Sequence, residues 1–321
     1  MNRYGYTMLA VTASKGKVSV VDRDIPEGDG ELITVTSSGI CGSDLHMIEN
    51  GLVNVVLGHE FGGYTTDGRL VAVRPTGACG SCSHCSTHHS QLCAEALRNS
   101  HGISRDGGLA EFVRATEDRL FEIPTGTDPS CVGLVEPLAV VLHGINRMNV
   151  QNGSTAVVVG AGSIGLLAAA VLRDRGVAVD IVARHPHQER AAEQLGVTPV
   201  RQAGSNYDAS FDAVCTQQSF DTCITATRPG GSLLEFGMFW TPVALNNQML
   251  LKEITVVPSI FYGHTQEHHD FQEAVDVLHR VPSITSAVIT HRFALSDAQE
   301  AFAVAADRKA GAIKVHLLTS L

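Results

Sequence analysis

Basic residues are scarce: 23 Lys and Arg stand against 33 Asp and Glu, a formal net charge of −10 at pH 7. A surface built to grip nucleic acid needs the opposite balance, so a broad nucleic-acid interface is excluded. Long apolar runs are missing too. No stretch of about eighteen apolar residues occurs, and the opening M-N-R-Y-G-Y-T lacks the apolar core of a signal peptide. These absences predict a cytoplasmic chain with no membrane partner. What remains is ordinary for a folded protein, with 44% hydrophobic and 17% charged residues. At 321 residues the chain suffices for about two domains, each with its own core.

Cysteine is the residue in unusual supply. Four of the eight crowd into C-G-S-C-S-H-C-S-T-H-H-S-Q-L-C, which places Cys79, Cys82, Cys85 and Cys93 in a C-x₂-C-x₂-C-x₇-C array. In a reducing compartment that spacing points to metal rather than disulfides, and four thiolates close a tetrahedral zinc shell with no position left for chemistry. His84, His88 and His89 inside this lobe read as solvated surface residues. Cys131, Cys215 and Cys223 read as small core residues.

A second metal pattern lies upstream, in G-I-C-G-S-D-L-H followed by L-G-H-E. Cys41 offers a thiolate, His59 an imidazole and Glu60 a carboxylate, a set that suits Zn²⁺. Ser43, Asp44 and His46 sit close behind the thiolate, where they could move a proton or orient a ligand. Only a short loop is expected between Cys41 and Leu57. In L-V-E-P-L, Pro137 suits a helix start and Glu136 its cap, or else Glu136 is a third or exchangeable ligand of the Cys41/His59 metal.

Residues 8–38 alternate apolar and polar and read as short strands of a barrel-like sheet, as do V-N-V-V-L, F-G-G-Y-T-T and R-L-V-A-V, with Asp67-Gly68 marking a hairpin. The pattern then changes. T-A-V-V-V is a continuous apolar strand, followed by G-A-G-S-I-G, with Gly160, Gly162 and Gly165 spaced by Ser163 and Ile164, and the helix L-L-A-A-A-V-L. Between a buried strand and a helix, G-x-G-x-x-G matches a dinucleotide fingerprint. V-A-V-D-I-V-A, F-D-A-V-C-T, G-G-S-L-L-E-F-G and I-T-V-V-P continue the strands with helices between, which predicts a doubly wound parallel sheet over 146–262. The ribose slot after the second strand falls at Ala183 or Arg184, with His185 and His187 following and no acid, so NADP(H) is favoured over NAD(H). Met238, Phe239 and Trp240 after the fifth strand are candidates to line the substrate cleft. Residues 263–321 are too few for their own core and are expected to return and complete the first domain, over 1–145; there Ser296 and Gln299 read as a capping box.

In this order and over nearly the whole chain, these motifs resemble the zinc-containing medium-chain alcohol dehydrogenase superfamily, in its polyol, sugar and threonine dehydrogenase-like branch. The resemblance implies an α/β protein: a GroES-like, partly open β-barrel catalytic domain with a structural-zinc lobe at 79–93, plus a Rossmann domain. It implies two zincs per chain. Cys41 and His59 would hold the catalytic one, Glu60 and Glu136 would complete or exchange in its shell, and the four lobe cysteines would hold the structural one. Ser43 would bond the substrate oxygen, His46 would end a proton relay, and Asp44 would hold the His59 ring. A homodimer or homotetramer is also implied, with a small alcohol or carbonyl substrate. Two departures stand out: the Cys41–His59 segment is short for the group, and the ribose slot lacks an acid. The competing readings are a zinc-independent enone or quinone reductase of the same fold, and a non-catalytic zinc- and NADP(H)-binding redox sensor.

Overall fold

In the computed structural model, residues 7–14, 16–52, 54–265 and 268–319 are described. They fall into two units. One comprises Met1–Glu136, Gly263–Arg280 and Ile289–Leu321, and the other Pro137–Tyr262 with Val281–Val288. The first division comes nine residues before the expected 145/146, and Val281–Val288, expected with the first domain, groups with the second.

In the first unit, β1 (Thr7–Ser14) and β2 (Lys17–Asp24) form an antiparallel hairpin. β3 (Glu31–Gly39) leads to α1 (Gly42–Glu49), then β4 (Glu60–Tyr64) and β5 (Leu70–Val73). Helix α1 occupies the segment expected to be only a loop. Of the strand expected over 53–57, Val53 lies outside the described residues, and residues 54–57 form no strand, Val56 making a single bridge to Thr12. Two one-turn helices, α2 (Ser83–Ser86) and α3 (Glu95–Arg98), shape the cysteine lobe before β6 (Phe112–Ala115) and β7 (Leu120–Glu122). Alternation sends Ile33 and Val35 of β3 inward against Phe61, Val71 and Val113, all buried.

A 3-10 turn, Pro129–Leu134, runs straight into α4 (Val135–Asn146). The turn begins at Asp128, whose side chain accepts from the Ser130 N–H at 2.9 Å, so Glu136 is not the cap but a residue of the first α-turn. The helical run Pro129–Asn146 is long and apolar, and 78% of it is buried inside the fold, as a core helix would be.

The second unit carries β8 (Thr155–Val159), α5 (Ser163–Asp174), β9 (Ala178–Val182), α6 (Pro186–Gln194), β10 (Thr198–Val200), β11 (Tyr207–Asp212), α7 (Gln217–Ala226), β12 (Thr227–Glu235), α8 (Asn247–Leu251) and β13 (Thr255–Pro258). The strands are parallel in the order β10-β9-β8-β11-β12-β13, the doubly wound dinucleotide-binding arrangement. Leu166–Leu172 of α5 are buried throughout, and the small alanines among them let the helix lie close to the sheet. β11 stops at Asp212 instead of continuing to Thr216, because Asp212 Oδ1 accepts from both the Val214 and Cys215 N–H groups and turns the chain.

After α9 (Asp270–Arg280) and α10 (Ser283–Val288), strand β14 (Ile289–Ala294), helix α11 (Ala298–Ala306) and strand β15 (Lys314–Leu318) belong to the first unit. β15 pairs with β3, giving the sheet order β14-β15-β3-β4-β5-β7 with β6 on β3. The expected capping box is absent: Asp297 stands at the N-cap, and Gln299 donates instead to the Val18 carbonyl of β2 at 3.1 Å.

Candidate functional site

Strand β3 ends at Gly39, and α1 begins directly after Cys41, so Cys41 sits at the helix N-cap with its side chain free of the ladder. Asp44, fully buried, ties the site together. Its Oδ2 accepts from the Cys41 N–H at 3.0 Å, while Oδ1 stands 3.2 Å from His59 Nδ1, close enough for charge attraction but not aligned as a hydrogen bond. Ser43 Oγ lies 3.3 Å from the other ring nitrogen, His59 Nε2. His46 is half-buried on the same helix.

The ligand atoms of Cys41, His59 and Glu60 come within 4.8 Å of one another. Glu136 does not join that trio, although it is buried and near enough to feel the charges of His59 and Glu60. Burial, reinforced by the Glu60 charge against the pull of His59, pushes its carboxyl up to about 8. For His59, burial opposes the charged ring, yet the neighbouring Asp44 and Cys41 outweigh it and hold the imidazolium well above its usual range. A proton placed between two anionic groups is what a divalent cation would displace, and the thiolate–imidazole–carboxylate set fits zinc.

No local sequence pattern marks Lys314, on β15, as part of this site. Its Nζ reaches Glu60 Oε1 and Oε2 at 2.8 and 2.7 Å and the Ile40 carbonyl at 3.0 Å, with both side chains almost wholly buried. Gly39 leaves room for this pair: a Cβ there would sit 2.2 Å from Glu60 Oε2.

Cys79, Cys82, Cys85 and Cys93 also place their sulfurs within 4.8 Å of one another. The Cys82–Cys85 and Cys79–Cys85 sulfur separations are 3.5 and 3.9 Å. These match the edge of about 3.8 Å for a tetrahedron with Zn–S bonds of about 2.3 Å. Hydrogen bonds from the Ser81 backbone and hydroxyl, then from the Cys82 N–H, draw the Cys79 thiol down to about 6, ready to ligate as thiolate. His84 and His89 are exposed as expected, whereas His88 is half-buried against the His264 ring.

In the second unit the glycine-rich turn fits a pyrophosphate. Gly160 has φ +106°, and a Cβ on Gly165 would lie 1.8 Å from the Gly160 carbonyl, so neither position accepts a side chain. Gly162 caps α5 and faces open space, leaving the helix N-terminus, with Ser163 and Ile164 in its first turn, clear for an anion.

A model of the alcohol dehydrogenase GroES-like domain matches residues 28–125, and one of the zinc-binding dehydrogenase matches residues 163–280. The chain belongs to the zinc-binding alcohol dehydrogenase family. It is 29% identical to a sorbitol dehydrogenase of Halalkalibacterium halodurans over 90% of this chain and 91% of that one. It is 28% identical to L-idonate 5-dehydrogenase (NAD(P)(+)) of Escherichia coli, over 97% and 98%. Among solved structures, a zinc-binding dehydrogenase of Sinorhizobium meliloti bound to NADP superposes with a TM-score of 0.86 at 27% identity, covering 98% of this chain and 99% of that one.

In this dehydrogenase the segment after β9 begins with buried Ala183, followed by exposed Arg184 and His185. The Gln188 side chain holds the loop by accepting from the Arg184 and His185 N–H groups, at 3.0 and 3.3 Å. Arg201, just beyond β10, donates to the Arg184 carbonyl at 2.6 Å, adding a second guanidinium to the loop. Only the parallel pairing of β10 with β9 brings it there, so no local signal announces it. Of the residues expected to line the cleft, Met238 and Trp240 are exposed, whereas Phe239 packs edge-on against Phe220, 6.0 Å between ring centroids.

His316, two residues after Lys314, is completely buried, with Nδ1 at 3.1 Å from the Ser130 carbonyl. Burial and the Lys314 charge hold its pKa down to about 3, from an ordinary 6.5. Between those values the unfolded chain binds a proton that the folded one refuses, so this contribution is harmless above about 6.5 and destabilises as pH falls. Between pH 7 and 5 the wild type should lose about 2 kcal/mol more than a His316→Asn variant. Urea unfolding at both pH values measures it; parallel losses would disprove the assignment.

Proposed function

We propose that the chain is a zinc-dependent, NADP(H)-preferring dehydrogenase that interconverts a secondary alcohol of a polyol or sugar-like substrate with its ketone. The observation carrying this reading is the convergence of Cys41, His59 and Glu60 ligand atoms within 4.8 Å beside the Ser43 hydroxyl. The similarity to sorbitol and L-idonate dehydrogenases supports the substrate class. In this reading the first unit is the catalytic domain and the second binds the dinucleotide. The lobe cysteines hold a second, structural zinc, and the protein works in the cytoplasm as a homodimer or homotetramer.

Zinc held by Cys41, His59 and either Glu60 or Glu136 would supply Lewis acidity at the alcohol oxygen, and the nicotinamide would take the hydride. Asp44 fixes the His59 ring and, through the Cys41 N–H, the loop that carries the thiolate. Ser43 accepts the alcohol proton and passes it toward His46 and solvent. Arg184 supplies positive charge for a 2′-phosphate, and Arg201, which also pairs with Glu189 at 2.8 Å, stands beside it.

The test is a set of kcat/KM measurements on polyols and their ketoses with both cofactors. Turnover on that panel with a clear preference for NADP(H) is expected, and Arg184→Ala should erode the preference by impairing NADP(H) alone. Equal or better use of NAD(H) would overturn the cofactor assignment, and no turnover by zinc-loaded protein would overturn the substrate class.

A further inference from the structure

Strands β11 and β12 of the second unit end side by side, with Asp212 and Glu235 directly paired in register. Both side chains are buried, at 0% and 3% exposure. Asp212 spends Oδ1 on the Val214 and Cys215 N–H groups, at 2.9 Å each. Among the described residues, its Oδ2 and both Glu235 carboxylate oxygens have no hydrogen-bond partner. The chain then turns through Cys215, whose φ of +58° is unusual for a residue with a side chain and aims its sulfur back toward the two acids. Gly237 makes the space, since a Cβ there would stand 2.8 Å from Cys215 Sγ. One ligand atom each from Asp212, Cys215 and Glu235 lies within 4.8 Å of the others.

Two carboxyl groups and a thiol buried together, with no cation paired to them among the described residues, are costly in any charged form. Burial first, then the neighbouring charge, pushes Glu235 up to about 8 and Cys215 up to about 12. A divalent cation removes the conflict by replacing the protons. We infer that Asp212, Cys215 and Glu235 form a further metal site that takes a borderline-soft divalent cation of the zinc class through one sulfur and two carboxylate oxygens. The sulfur argues against Mg²⁺ and Ca²⁺, which take oxygen ligands, and three protein ligands are too few for Ca²⁺. A fourth position stays open to water or another small ligand. All three residues belong to the second unit, so the site stands independently of the chemistry assigned to Cys41 and His59.

The experiment is metal analysis of the full chain at equilibrium with buffered Zn²⁺, together with alkylation of Cys215 followed by mass spectrometry. Glu235→Gln should hold one zinc fewer than wild type while keeping those of the first unit. Cys41→Ser, by contrast, should lose an equivalent that leaves Cys215 protected, which distinguishes failure here from failure of the catalytic reading. Zinc should slow alkylation of Cys215 in the wild type and not in Glu235→Gln. Equal zinc content in wild type and Glu235→Gln would overturn the assignment. Should that variant fail to fold, the wild type alone decides: Cys215 alkylated at the same rate with and without Zn²⁺ would equally refute the site.

Discussion

Replacing Cys41 with Ser should lower kcat/KM by on the order of 10³ while leaving the fold in place, because metal-assisted activation of an alcohol is worth several kcal/mol. The reasoning separates two roles of one residue. As the N-cap of α1, position 41 needs a short side chain and a backbone N–H for Asp44 Oδ2, both of which Ser provides; Ser is itself a favoured cap. As a metal ligand, it needs a soft thiolate, which Ser lacks. The variant should therefore show one zinc fewer per chain, an unchanged far-ultraviolet circular dichroism spectrum and near wild-type thermal unfolding. Wild-type turnover in that variant would end the catalytic-zinc proposal. Loss of activity together with loss of folded structure would instead assign Cys41 a scaffolding role.

Residues whose partners are near in sequence were legible. The cysteine lobe closes over fifteen positions, the glycine-rich turn over six, and Cys41, Ser43 and Asp44 lie within one helical turn. Spacing alone carries such sites. The gaps lie where long-range pairing overrides local pattern. Gln299 follows Ser296 at capping-box spacing, yet the Val18 carbonyl of β2 offers it a better partner. Helix α1 is hidden in the sequence because G-S-D-L-H-M-I-E buries only Asp44 and Ile48, too sparse a stripe to read as amphipathic. At the end of β11, the apolar run F-D-A-V-C reads as strand, but the Asp212 carboxylate captures two backbone N–H groups and breaks the ladder. Arg201 and Lys314 belong to the same class: each reaches its place through the order of strands in a sheet.

Lys314→Met should destabilise the metal-free first unit by about 3–5 kcal/mol, the range for removing one partner of a buried ion pair. The lysine reaches Glu60 across 254 positions, delivered because β15 pairs with β3 and β3 with β4. Without it, Glu60 at 1% exposure keeps a charge that burial penalises, and the Ile40 carbonyl loses its donor. Met fills similar volume without charge, so the cost is electrostatic rather than a cavity. A shift in thermal midpoint on the order of 10 °C follows from that energy. Two comparisons isolate the cause. Adding Glu60→Gln to Lys314→Met should recover much of the loss, because the stranded charge is gone. Loading zinc should also narrow the gap between Lys314→Met and wild type, since a cation beside Cys41 and His59 would offset the Glu60 carboxylate in place of the ammonium. A metal-free Lys314→Met protein within about 1 kcal/mol of wild type would mean the pair contributes no more than a surface ion pair.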